Sequence, residues 1–466
     1  MGKRRRQQQQ AMWVCTASLV QPASHPFYTR LNTVLESRQF DRFVEDCCRK
    51  FYASRRGRPS LAPGVYFRLL LIGYFEGIDS ERGIAWRAAD SLAIRCFLGT
   101  GLEQETPDHS TVSRTRRLID LETHRLVFSW VLKLLAEQGL LKGNVIGIDA
   151  TTLEANAAMR SIVRRDTGER YEEFLTRLAA ESGIETPTRE QLAKLDRKRP
   201  KKGSNEDWES PHDGDARITK MKDGRTHLAH KAEHAVDLET GAVVAVTMAH
   251  ADQGDTTSIH QTLAEAGEQI SRVAEQVNNE QDGERVKADG PTGLVADKGY
   301  HSSDVLVALQ QVGVRSYISE PDRGRRRWKG KEKAQGAVYA NRRRIHGQAG
   351  RALLRRRGER VERSFAHAYE TGGMRRAHLR GTENILKRVL IHIGGFNLGL
   401  VMRQMIGKGT PRGYQGYRRG LDTLALFLKI IILTLEQVAT ETWGGGETSQ
   451  RYSRCVPPCR HRPTVR

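Results

Sequence analysis

NVIGIDATTLEAN, residues 144–156, is the stretch on which the reading of the fold turns. Asn144 to Asp149 is a short β-like apolar run that ends in an acid, and Thr151 to Glu154 can extend it. Everything from about Thr29 to Leu141 has instead the three-to-four-residue apolar spacing of helices. A second domain therefore begins near Leu141.

Working outward toward the C-terminus, residues 159–216 are highly charged and read as an inserted helical hairpin plus a linker. His227–Asp237 and Ala242–Ala249 then read as strands joined by LETG, with Gly241 suited to a hairpin turn. Ser258–Val277 reads as a helix. Gly293–Ala296 is a short strand ending at Asp297, Ser303–Val312 a helix, and Arg315–Ile318 a strand. Strands alternating with helices predict an α/β fold with a mixed sheet flanked by helices, not a bundle. NILKRVLIHIGGFNLGLVMRQMI, residues 384–406, reads as a core helix.

Working outward toward the N-terminus, Leu61–Gly77 reads as a helix opened by Pro63 and closed by Gly77. Asp79 or Ser80 can cap the next, with Ile84, Ala88, Leu92 and Ile94 on its apolar side. In PDHSTVSRTRRLI, residues 107–119, Asp108 or Ser110 can cap a short helix that shows Ser113, Arg114, Arg116 and Arg117 to solvent. Such a helix suits a DNA major groove in a helix-turn-helix-like domain. A small bundle with a solvated basic face is the alternative.

The 466 residues carry a formal charge of +21, so the surface attracts polyanions. Between Asp322 and Arg363 there are sixteen Lys or Arg against four Asp or Glu, more than half of that excess. Cys15, Cys47, Cys48, Cys96, Cys455 and Cys459 form no evenly spaced disulfide framework, which points to a reducing cytosol. Cys455, Cys459 and His461 lack the second pair that a zinc site uses. Residues 1–28 read as a basic, Gln-rich extension without a signal peptide, and 407–466 as a basic, mostly irregular tail. That tail holds one packing helix over Leu424–Leu435, too short to span a membrane.

Three acids stand at points where the pattern changes: Asp149, Asp297 and Glu362. Phosphodiesters repel nucleophiles, and enzymes that attack them commonly use two Mg2+ ions about 3.5–4 Å apart. Mg2+ takes hard oxygen ligands and keeps several waters, so two aspartates and one glutamate suffice. Glu362 belongs to a helix whose apolar face carries Leu354, Val361, Phe365 and Ala368, and Glu359 is the alternative ligand three residues earlier. Each acid alone reads as readily as a cap or half of an ion pair.

The order GIDATTLEAN (147–156), VADKGYHS (295–302) and RVERSFAHAYETGGMRRAHLRG (360–381) closely resembles bacterial insertion-sequence transposases of the DDE type. The helical segment from FDRFVEDCC (40–48) through PDHSTVSRTRRL (107–118) looks like the DNA-binding domain that often precedes their catalytic domain. Together these cover roughly residues 40–406. The resemblance implies an RNase H-like domain over 141–406, preceded by a DNA-binding domain over 29–140. Its first Asp falls on Asp149, its second on Asp297 and its Glu on Glu362, all ligands of Mg2+ with Mn2+ as a substitute. Where many relatives place a tyrosine, an arginine and a lysine around that Glu, this chain has Arg355, Gly358 and Tyr369. Phosphate contacts then pass to Arg357, Arg360 or Arg363, and DNA-backbone contacts to Arg375, Arg376 and Arg380.

By that resemblance, water attacks the phosphodiester at an element end, and the freed 3′-hydroxyl attacks target DNA. Terminal inverted repeats and target DNA are the implied partners, in a homodimer or larger synaptic assembly in the bacterial cytoplasm. An inactive DNA-binding protein on the same scaffold, or a nuclease that cuts without joining, are the competing readings.

Overall fold

The computed structural model describes residues 25–53, 60–199, 203–221, 224–279, 285–322, 324 and 326–414. Residues 1–24 of the N-terminal extension, the Leu424–Leu435 segment and the Cys455, Cys459 and His461 group lie outside them, whereas Pro26, Phe27 and Tyr28, read as part of that extension, belong to the first helix, where Phe27 and Tyr28 are buried. All the elements named below fall in one compact unit.

Seven helices come first: α1 (Pro26–Ser37), α2 (Phe40–Cys48), α3 (Pro63–Glu76), α4 (Glu81–Asp90), α5 (Leu92–Leu98), α6 (His109–Leu118) and α7 (Leu121–Glu137). Pro63 opens α3 and Gly77 closes it at φ +68°, a conformation that side chains with a Cβ resist. Ser80 caps α4 by accepting from Gly83 N at 3.2 Å. One helix expected beyond Ser80 is two, because Ser91 ends α4 and its hydroxyl caps α5. Leu92 consequently is exposed and leaves the apolar side on which it was placed.

Asp108 caps α6, accepting from Thr111 N at 2.7 Å. Arg114 and Arg117 on that helix are exposed, but Arg116 is not. Its guanidinium is buried against Glu81 at 2.8 Å, Asn384 at 2.8 Å and Ser113 at 3.1 Å. Arg116 thus ties helices together, and Ser113 is half-buried beside it. The sequence had shown both to solvent.

The α/β half contains β1 (Val145–Glu154), β2 (Val163–Arg164), α8 (Tyr171–Glu181), α9 (Arg189–Lys198), β3 (Trp208–Glu209), β4 (Arg217–Lys220), β5 (Thr226–Asp237) and β6 (Val243–His250). It continues with α10 (Asp255–Asn278), β7 (Gly293–Ala296), α11 (Ser303–Gln311), β8 (Arg315–Ile318), α12 (Glu332–His346), α13 (Gln348–Phe365) and α14 (Thr382–Ile406). The main sheet runs β4-β5-β1-β7-β8, with β6 also paired to β5. β1, β5 and β6 form an antiparallel meander, whereas β7 and β8 join in parallel. The short apolar run of β7, buried at all four positions, suits a strand covered on both faces.

Two differences from the sequence reading bear on function. First, β1 is ten residues long, so Asp149 sits in mid-strand and does not end it. Thr151 and Thr152 fit a strand as well as the apolar run before them. Second, the insertion is partly core. Trp208 pairs across from Arg164 and is buried with Ala155, Ile162, Ala216 and Leu228. Tyr171 and Phe174 meet its ring edge-on at 5.1 and 5.3 Å.

The basic stretch after Asp322 is largely α12 and α13. Asn341 exchanges two hydrogen bonds with the Ile318 backbone, and Arg342 grips Glu320 at 2.8 and 2.9 Å. Arg326, Arg342 and Arg344 are thus engaged with β8 and the loop after it, while Arg343, Arg351, Arg355 and Arg356 stay exposed. Helix α14 is enclosed, burying Lys387, Arg388, His392 and Asn397 along with its apolar residues. Among the described residues it is the one helix long and apolar enough to cross a membrane, and 94% of that window is buried in the fold. Helices α3 and α7 pack on it, and Arg388 bonds Leu70 O at 2.8 Å, so both halves share this core.

Candidate active site

The strand pairing creates a gap at Asp149. β1 follows β7 only from Val145 to Gly147, and Asp297 comes directly after β7 ends. The two aspartates are therefore neighbours across the point where the strands part. Asp149 Oδ1 accepts from Ala150 N at 2.9 Å, and its Oδ2 pairs with Arg357 Nη2 at 2.5 Å. Burial pushes its carboxyl up to about 6, against the pull of Arg357, and the charges of Asp297 and Asp255 push the same way as burial. Asp297 caps the turn after β7, accepting from Gly299 N at 2.8 Å.

Asp255, the first residue of α10, was missed by the sequence reading. A Cβ on Gly299 would lie 2.5 Å from Asp255 Oδ2 and 3.1 Å from Asp297 Oδ1, so both carboxylates crowd one glycine. Its only sequence signal is an acid at a helix start, which ordinarily serves the helix dipole.

Behind these acids lies a buried polar network. Lys231 Nζ donates to Asp255 Oδ1 at 2.6 Å, Ser258 Oγ at 2.9 Å and Gln253 O at 3.2 Å. Glu233 accepts from Ser258 at 2.8 Å, from Tyr300 Oη at 2.7 Å and from Thr262. Burial, together with Glu233, holds the Tyr300 hydroxyl far above its ordinary range, so it stays a donor. Lys231 and Glu233 alternate with Ala232 along β5 and share the face covered by α10.

On the other face, α13 packs across β1 with Val361 against Gly147. Arg357, one turn earlier, bonds Ile148 O at 3.4 Å and reaches Asp149. Ser364 Oγ donates to Val361 O at 2.8 Å, so it accepts from His234 Nδ1 at 2.9 Å. That leaves His234 Nε2 to accept from Tyr369 Oη at 2.6 Å. His234 stands directly opposite Asp149 in the register and clamps the end of α13 to the sheet.

Glu362 is exposed on α13 and makes no ion pair among the described residues. Glu359 pairs with Arg363 at 2.8 Å, and lies about 200° around the helix from Arg357, facing away from Asp149. Among the described residues no three His, Cys, Asp or Glu side chains converge as a ready metal cage. Asp149 and Asp297 meet where β1 and β7 part, Asp297 and Asp255 meet at Gly299, and Glu362 is exposed on α13. Their donor chemistry nevertheless fits a hard divalent cation, since Mg2+ takes one or two carboxylates and water for the rest.

The arginines differ in freedom. Arg360 bonds Thr240 O at 3.4 Å, Arg375 bonds Thr151 Oγ1 at 3.2 Å, and Arg376 lies 3.8 Å from Glu154. Arg380 is exposed. Arg375 and Arg376 thus follow the half of β1 beyond Asp149.

Two family matches agree with this geometry. Residues 16–118 match a family described as Transposase domain (DUF772), and residues 182–398 match Transposase DDE domain. The second match begins after Asp149 and includes Asp255, Asp297 and Glu362. No curated protein and no solved structure gives a significant match. With a helical transposase domain leading into an RNase H-like mixed sheet that carries the DDE match, the chain belongs to the DDE-type transposases of insertion sequences.

Proposed function

We propose that this transposase binds the terminal inverted repeats of its element and performs metal-dependent strand cleavage and strand transfer with Asp149, Asp297 and Glu362. The observation that carries the reading is the meeting of Asp149 and Asp297 where β1 and β7 part, in a chain of formal charge +21. A bound Mg2+, with Mn2+ as a substitute, would supply activation of the attacking oxygen and charge neutralisation at the leaving one. Asp149 and Asp297 would hold it, with Glu362 brought in from α13.

The chain's own residues account for the remaining needs. Arg357 neutralises Asp149 in the free protein, and a phosphate drawing that guanidinium away exposes the carboxylate where the scissile bond arrives. Arg363, Arg375, Arg376 and Arg380 offer backbone contacts along one side, while Arg114 and Arg117 on α6 offer contacts to the repeat. Joining two ends in one event calls for a homodimer or larger synaptic assembly.

The test incubates purified full-length protein with repeat-end DNA and Mg2+. Asp149→Asn, Asp297→Asn and Glu362→Gln should each lower cleavage and joining by more than about a hundredfold, since even residues behind metal ligands are worth 10–100-fold. Binding of repeat DNA should persist. Retained joining in all three variants sinks the assignment, and cutting without joined product would instead favour a nuclease.

A further inference from the structure

We propose that Trp328, in the loop after β8, and the outer stripe of α12 bind unpaired DNA nucleotides, with bases against Trp328 and Tyr339 and phosphates on the cations around them. The inference rests on the reading above for its substrate, DNA, and deepens it by naming where an opened strand is held.

The first observation is an aromatic pair at the surface. The ring centres of Trp328 and Tyr339 lie 6.2 Å apart, with their planes tilted by 51°. Tyr339 is 42% exposed. Its ring adds nothing to the core, because the buried stripe of α12 is Ala337, Val338 and Asn341. On the outer side it stands between Gly336 and Arg343, both exposed and each about one turn away. A Cβ on Gly336 would meet nothing within 4 Å, so the space beside the tyrosine is open. A base reaches such a ring only after leaving the duplex stack, and any of the four bases can then lie against it.

The second observation is charge. Residues 326–343 carry seven Lys or Arg against one Glu. Arg326 stands over the Trp328 ring at 5.7 Å, and Arg342 over the Tyr339 ring at 5.0 Å. Glu320 holds both guanidiniums, at 3.3 and 2.8 Å, so the aromatic pair is fixed in place. Arg327, Lys329, Lys331, Lys333 and Arg343 are exposed and form no ion pair among the described residues. Fixed rings among exposed cations match the chemistry of a base with its phosphate.

The third observation is position. Strands β7 and β8 run in parallel and end together, with Ala296 opposite Ile318. Ser319 N donates to Ala296 O at 3.3 Å, so Asp297 and Glu320 emerge from the same end of the sheet. A strand opened beside Asp297 is thus within reach of the patch that Glu320 anchors.

Fluorescence anisotropy of labelled DNA with the full-length protein in EDTA tests this without metal or cutting. The probes are an oligothymidine and a fully paired repeat-end duplex. Tyr339→Ala and Trp328→Ala should each weaken oligothymidine binding about tenfold and leave duplex binding within about twofold. Tyr339→Phe and Trp328→Phe keep a stacking face and should retain most of the affinity, and thermal midpoints verify that each variant folds. Lys329→Gln should lower the slope of log affinity against log salt for oligothymidine by about 0.7, one phosphate contact. Oligothymidine binding unchanged in both alanine variants overturns the proposal. An equal loss on oligothymidine and duplex also overturns it, since the patch would then be a general phosphate contact. Ring-dependent oligothymidine binding by a protein that never cuts repeat-end DNA with Mg2+ would leave the patch standing and sink the cleavage reading.

Discussion

Strand β5 presents two faces that solve the burial of polar groups in opposite ways. Toward α10 it turns Lys231 and Glu233, and the network they form is charged and opens onto half-exposed Asp255. Toward α13 it turns His234, whose two nitrogens are matched one for one by Ser364 and Tyr369. The second network is neutral and complete. A closed network specifies position, whereas an open charged one leaves electrostatic work for a ligand. Asp149 stands on the His234 side, directly opposite that residue, so one face of the strand fixes α13 beside this acid and the other carries the charged network.

The largest effect should come from opening the closed face. His234→Ala removes a fully buried ring and strands the buried Tyr369 hydroxyl, at a cost of about 3–5 kcal/mol. Urea unfolding measures it, and a loss below about 1 kcal/mol would mean that the clamp is not what holds α13.

The next effect is in pH. Burial holds His234 at about 3, His392 at about 3 and His124 at about 4, all below the ordinary value of 6.5. Below pH 6.5 the unfolded chain takes protons that the folded chain refuses, so stability is full above that pH and falls as pH drops toward 4. Each histidine contributes up to about 1.4 kcal/mol per pH unit in that window. Unfolding curves between pH 7 and 5 should show the decline, and His234→Asn should make it shallower. An unchanged slope would mean that His234 charges in the fold.

How much of this could be read beforehand differs by element. Gly293–Ala296 was legible as a strand because a continuous apolar run lies between turn residues. The hairpin at Gly241 was legible for the same local reason. Helix α12 was hidden by its charge, since its buried stripe is only Ala337, Val338 and Asn341. Arg116 looked like a DNA contact because its partners Glu81 and Asn384 are far away in sequence. Asp149 and Asp297 were picked out by pattern and order, and the structure sets them side by side, yet the Lys231–Asp255 pair forms only when β5 and α10 converge. Nothing local distinguishes them from a helix-start acid and a strand lysine.

The smallest effect sharpens the comparison most, because one substitution can be made on each face. Tyr300→Phe removes a donor to the Glu233 carboxylate, and Tyr369→Phe removes a donor to the neutral His234 imidazole. Both hydroxyls are buried, and phenylalanine keeps the ring packing. Hydrogen bonds to charged groups are worth about 1.5–3 kcal/mol net, against about 0.5–1.5 for neutral pairs. Tyr300→Phe should therefore destabilise by about 1 kcal/mol more than Tyr369→Phe in parallel urea titrations. It should also weaken Mn2+ binding by a few-fold, since Tyr300 braces the Asp297 turn against Glu233, while Tyr369→Phe leaves the metal affinity alone. Equal losses on both faces, with metal affinity unmoved by either, would mean that the charged face is as closed as the neutral one.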